Sequence, residues 1–304
     1  MRYPLGNTGA LFLLVVVCSS ARGQFNGAPE RLPHVVHDQD VVGAHATVIT
    51  TNLYHEPLFE ALQAVNEEYG WAISYEGAPT IDSSEIAESD PELHRAHPEL
   101  TGMYYADTEP FSSTFSEIEP YKVKLSTVIE QIVTDYNASN RHGKKFHVVV
   151  AKNGYYSVVG HEHHLNGAAT PFVSPLECVL TLEDAPATIF EAERIVADAV
   201  TTTCKKVNTC RVDASLDAPT MSFAPTEKVA GSYVSMSARD ILMDLVSQLH
   251  QQTYYSMYFV PVDGYFGLTV WGATRKVAGW NGNLISEPVP NPNRKMSQKQ
   301  SQVP

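Results

Sequence analysis

His161-Glu162-His163-His164 places three imidazoles within four residues, and neutral imidazole is the commonest transition-metal ligand. The run closes an alternating apolar stretch and precedes Asn166-Gly-Ala-Ala. A strand end or loop lacks the i, i+4 helical spacing of HExxH. The run therefore reads as an exposed linker, with His161, His163 and His164 as the candidate ligands should a metal bind. Cysteines are the other reactive groups. Cys204 and Cys210, in TTTCKKVNTC between a helix end and a strand start, read as a disulfide pinning one turn if the chain is exported. Cys178 alternates like a strand residue and reads as a small buried hydrophobe. The sequence has no GxSxG elbow, phosphate-cradling glycine loop or dinucleotide fingerprint, so it assigns no catalytic residue and no cofactor.

Composition narrows the partners. The 304 residues carry 34 acidic against 21 basic side chains, a net charge of −13. Nucleic-acid binders need a basic face, so a phosphate-backbone partner is excluded as an expectation. At the N-terminus Arg2, the apolar run Ala10–Val17 and the small-residue stretch ending at Gly23 predict a signal peptide over 1–23. That run is shorter than the ~20 residues a membrane span needs. The expectation is an exported protein, periplasmic or extracellular. Lipid anchoring through Cys18 is disfavoured by the branched Val17 before it.

The elements that would position these groups follow from periodicity. Residues 24–44 read as a linker. Thr47–Thr50 alternates as a strand. Pro57 opens a helix with Leu58, Ala61, Leu62 and Val65 on one face, Gly70 stops it, and Trp71–Tyr75 reads as a strand. Residues 82–119 form an acidic insertion. Tyr121–Leu125 then reads as a strand, Ser126 as the N-cap of a helix striped by Val128, Ile129, Ile132, Val133 and Tyr136, and Asn153-Gly154 as a hairpin turn.

The second half restates this order. Cys178–Thr181 matches Thr47–Thr50, and Phe190-Glu-Ala192 matches Phe59-Glu-Ala61. Asp217-Ala-Pro-Thr matches Gly77-Ala-Pro-Thr, Ser237 matches Ser126, and Asp263-Gly264 matches Asn153-Gly154. Several matches in one order point to tandem duplication. The expected fold class is α+β: two tandem copies of a small β-α-β-β-α-β-β domain, each with two helices packed against small sheets. The first copy spans 45–161 and the second 176–273, joined by a linker at 162–175. Residues 274–304 read as a disordered tail.

Pro57–Tyr75 and the helix from Ser237 onward resemble the short N-terminal domain shared by secretins and TonB-dependent transducers. The resemblance implies two helices between small sheets, in the bacterial envelope, used for protein–protein contact. The expected function is thus an interaction module with an envelope protein partner. Tyr155, Tyr156, Tyr254, Tyr255, Tyr258, Tyr265 and Phe266 would supply contact area. A metal-dependent or other hydrolase with scattered catalytic residues, or a small-ligand or glycan binder, is the alternative.

Overall fold

The computed structural model describes residues 34–36, 46–51, 56–80, 86–88, 95–96, 104–106, 110–116, 123–139, 143–151, 153–183, 187–204, 211–214, 227–261, 263–279, 283–292 and 294. They belong to one compact unit, Leu32–Pro304. In chain order β1 (His34–Val36), β2 (Ala46–Thr50), α1 (Pro57–Tyr69) and β3 (Ile73–Glu76) come first. β4 (Ile86–Glu88), β5 (Tyr104–Ala106), β6 (Ser112–Ser116), α2 (Leu125–Ser139), β7 (Lys145–Val150), β8 (Tyr156–Leu165) and β9 (Ala168–Pro171) follow. A 3-10 turn (Pro175–Glu177) leads to β10 (Val179–Leu182), β11 (Ala187–Thr188), α3 (Ile189–Cys204), β12 (Val212–Ala214), β13 (Lys228–Val229) and β14 (Tyr233–Ser237). The last elements are α4 (Ala238–Ser247), β15 (Thr253–Val260), β16 (Tyr265–Gly272), β17 (Thr274–Ala278) and β18 (Leu284–Pro288). The fold is mixed α/β, with helices and several small sheets, as the α+β expectation requires.

A central sheet runs β12-β16-β15-β3-β8-β7, with β9 paired to β8. It contains two triplets of one design. In each, the strand that follows a helix lies parallel to the second strand of a hairpin: β3 to β8, and β12 to β16. The triplets meet where β15 pairs parallel with β3, Ser256 opposite Tyr75 and Met257 opposite Glu76. That register decides where the cores lie, because paired residues point to the same face and successive residues to opposite faces. Tyr75 belongs to the core under α1 and α2, with Leu58, Leu62, Ile129 and Ile132. Met257 belongs to the core under α3 and α4, with Val196, Ile241, Leu242 and Val246. Neighbours of opposite parity thus put the two helix pairs on opposite faces of one sheet.

Local signals explain the helix ends. Pro57 occupies the first turn of α1, where its missing N–H does no harm, and Gly70 ends the helix with φ 68°. Ser237 Oγ accepts the Asp240 N–H at 3.1 Å and caps α4. Asn153-Gly154 and Asp263-Gly264 turn the β7–β8 and β15–β16 hairpins, each glycine with positive φ.

Several expectations fail, each for a physical reason. The linker at 162–175 is instead a second hairpin: β8 continues to Leu165, Asn166 and Gly167 take φ 54° and 74°, and β9 returns alongside. The disordered tail at 274–304 is instead ordered over its described part. β17 pairs with β18, and buried Asn291 donates to the carbonyls of Ser247 and Leu249 at 3.0 Å. β17 is largely polar and packs on α1, where Arg275 of β17 and Val289 just after β18 approach Gly70 too closely to admit a side chain without adjustment. Within the 24–44 linker, His34–Val36 pairs with β2. Of the expected strand Tyr121–Leu125, Tyr121 and Lys122 lie outside the described residues, Val123 and Lys124 are not in a strand, and Leu125 begins the next helix. The acidic insertion supplies a strand instead: β6 pairs with β2, with Phe111 and Phe115 buried. α2 begins at Leu125, so Ser126 lies inside its first turn. The expected signal peptide falls outside the described residues.

Gly160 on β8 packs closely on backbone: a Cβ there would lie 2.8 Å from the backbone N and Cβ of Ala78. Replacing Gly160 with Ala overpacks this site and is expected to cost ~1–3 kcal/mol, read as a lower urea midpoint at unchanged slope.

Candidate functional site

The most concentrated polar chemistry lies where the two triplets meet. Glu76 ends β3 with its side chain fully buried. Arg239, in the first turn of α4, reaches it with Nε to Oε1 at 2.6 Å and Nη2 to Oε2 at 2.8 Å. The Tyr255 hydroxyl donates to Oε1 at 2.6 Å, and Ser174 Oγ donates to Oε2 at 2.5 Å. The third guanidinium nitrogen, Nη1, meets Glu177 Oε1 at 2.5 Å, and the Tyr255 backbone N–H donates to Ser74 Oγ at 3.1 Å. Burial opposes a charge on Arg239, but the hydrogen bonds and charge of Glu76 outweigh it and hold the guanidinium ionised. Complete burial, reinforced by the Glu76 charge, raises the Tyr255 hydroxyl well above its ordinary range. Every group here is spoken for, so the cluster acts as a clamp between β3, β15, α4 and the 3-10 turn. Beside the first core a second, partly buried pair, Lys144 Nζ to Glu56 Oε1 at 3.1 Å, shares Glu56 with the Tyr75 hydroxyl.

Sequence reasoning missed this clamp because its partners stand 163 residues apart. One signal was present: a cation in the first turn of a helix faces the positive end of the helix dipole. Arg239 there needs a compensating anion, which Glu76 supplies.

The candidate histidines separate. His161 and His163 alternate with His164 along β8. His163 is buried and lies edge-on to Phe172, ring centroids 6.0 Å apart. His164 fills the space that a side chain at Gly143 would need. His161 is joined instead by His147 of β7, Nδ1 to Nδ1 at 3.3 Å. Partial burial, and then the charge of His161, lower the His147 imidazole below 6.5. Among the described residues no group of three or more His, Cys, Asp or Glu side chains is placed to hold a metal ion. The expected Cys204–Cys210 bridge cannot be placed, because Cys210 lies outside the described residues. Cys204 sits against Cys178, whose thiol is pushed up to about 11 by burial first and by Cys204 second.

The aromatic hairpin residues turn mostly inward. Tyr155, Tyr254, Tyr255 and Phe266 are buried, while Tyr156, Tyr258 and Tyr265 are half-buried. Exposed large apolar side chains among the described residues are spread over the fold (Val150, Leu165, Val173, Ile195 and Ile285), and two more lie on the two-stranded sheet of β10 and β14. Val179 is 59% and Val234 74% exposed. β10 pairs with β14 along one edge, and no described residue pairs along its other edge. In the three-stranded sheet of the first half, β2 carries β6 on one edge and β1 on the other. Next to β10 and β14 a cavity of about 90 Å³ is lined by Leu182, Ala187, Ile195, Val196, Val229 and Tyr233. No described helix is long and apolar enough to cross a membrane. No protein-family model, curated protein or solved structure matches the chain.

Two measurements test the site chemistry. Arg239→Met leaves Glu76 buried without its cation and is expected to cost ~3–5 kcal/mol, whereas Glu76→Gln with Arg239→Met recovers much of that loss. Urea unfolding of the three proteins reads the difference. Cys178 is expected to react with iodoacetamide roughly a hundred times more slowly than an unperturbed thiol at about pH 8, because only the thiolate attacks. Its rate should rise as pH approaches the raised value, followed by mass spectrometry of its peptide against the urea-unfolded chain.

Proposed function

We propose that this chain is an exported envelope protein that works as a protein–protein interaction module, taking an extended strand of its partner onto the open edge of β10. The observation that carries the reading is the different pairing of β10 and β2, the strands that the repeat sets in correspondence. β2 is paired on both edges, whereas among the described residues β10 is paired only with β14, and a row of backbone donors and acceptors along a strand edge is a template for a further strand. The exposed Val179 and Val234 lie on this sheet, and the neighbouring cavity suits one aliphatic side chain of an added strand. Backbone pairing would give affinity and the cavity selectivity.

Two tandem copies and a likeness to the short N-terminal domain of secretins and TonB-dependent transducers belong to the same proposal. Support for duplication comes from the shared triplet order and the matched hairpin turns. The reading of the partner as an envelope protein rests on the export signal and the resemblance.

Val179→Lys with Val234→Lys places charge on a surface that is already exposed, so stability is expected to stay within ~0.5 kcal/mol. A photo-crosslinking residue at Thr181 in the native envelope is expected to trap one protein partner, and the double substitution to abolish that adduct. Undiminished capture by the double variant would overturn strand addition at β10.

A further inference from the structure

We propose that His147 and His161 form a two-imidazole site for a divalent transition metal of the zinc, nickel or copper class, with its remaining coordination positions open to solvent. The site does not depend on the interaction proposed for β10 and lies on other strands.

The register builds it. β7 and β8 are antiparallel, with His147 opposite Val159 and a bulge between Lys145 and Phe146. Residues two apart on a strand share a face, so His161 lies diagonally across from His147 on the same side of the sheet. Both side chains are exposed, which gives a metal ion an entry path. Strands hold ligands more firmly than loops do, and β8 is paired on both sides near this point, by β7 and by β3 or β9.

The spacing matches the coordination geometry. Tetrahedral ligands at a metal–nitrogen distance of 2.0–2.1 Å stand about 3.3 Å apart along each edge. The two Nδ1 atoms stand at 3.3 Å. The ring planes cross at 68° with centroids 5.2 Å apart, so the nitrogens converge while the rings diverge. Without metal the same contact is a single hydrogen bond, one Nδ1 donating and the other accepting. Metal binding requires only that the donor ring carry its proton on Nε2 instead, where solvent accepts it. The nearby charges are mixed: Arg239 opposes a cation at His147, while Glu76 and Glu177 favour one. Imidazole donors select zinc, nickel and copper over calcium and magnesium, which take oxygen ligands.

The test uses the full chain, stripped with chelator and titrated separately with zinc, nickel and copper(II) chloride by calorimetry. One equivalent is expected to bind. Losing a group that merely orients a ligand already costs roughly 10- to 100-fold in metal affinity. His147→Ala and His161→Ala, each removing a ligand, are therefore expected to weaken binding by at least that ten-fold. His164→Ala, on the other face, is expected to leave it unchanged. Circular dichroism of the variants checks that the fold persists. Absence of binding by all three metals would overturn the proposal, as would equal affinity in the wild type and both ligand variants.

Discussion

A carboxylate with no access to water is tolerated only when its charge and lone pairs are met, and the arrangement of this protein turns on meeting those of Glu76. The β15–β3 register covers only two residue pairs, too little backbone bonding to join two three-stranded units securely. The guanidinium of Arg239 completes the joint from α4, the Tyr255 hydroxyl from β15 and the Ser174 hydroxyl from the crossover segment. An ion pair of this kind adds little net stability over well-packed apolar groups, but each half becomes costly without the other. It fixes which strand of the second half meets which strand of the first.

The same joint accounts for the distribution of the cores. Glu76 lies beside Met257 and turns its back on Tyr75, so α4 must approach from the face opposite α1 and α2. The crossover from β9 through the 3-10 turn carries Ser174 and Glu177 to that face, where both contact members of the clamp. The acid at the end of β3 therefore organises the side of the sheet that its own helices leave uncovered.

Much of the fold was legible where a local rule and tertiary packing agree. Pro57, Gly70, Ser237 and the two hairpin turns each satisfy a backbone requirement that depends on near neighbours alone. The Asn166-Gly167 turn obeys the same chemistry and was obscured by the histidines before it, which drew the segment toward a linker reading. The β17–β18 hairpin was illegible because neither strand alternates and β17 gains its place from α1. β6 was hidden inside the acidic insertion, whose charge drew the reading toward a solvated loop, although Phe111 and Phe115 in it are buried. Of the site chemistry, His161 was visible but His147 was not, since one lies in each strand of a hairpin whose bulge sets the diagonal. Arg239 was the one misplaced charge that could have betrayed the clamp.

The joint also has a polarity. It unites the leading strand of one hairpin, β15, with the strand that follows a helix, β3, and such a head-to-tail union does not close on itself. Among the described residues the ends of the central sheet are β7, again the leading strand of a hairpin, and β12, again a strand that follows a helix. Each end is the counterpart of what the other would accept, the geometry from which open-ended fibres grow. β12 is only three residues long, and its own Asp213 forms a solvent-exposed ion pair with Arg211 just before it. A short, charged terminus is how natural sheets discourage addition of another chain, so the element that makes two halves one protein is blunted where it would make many proteins one polymer.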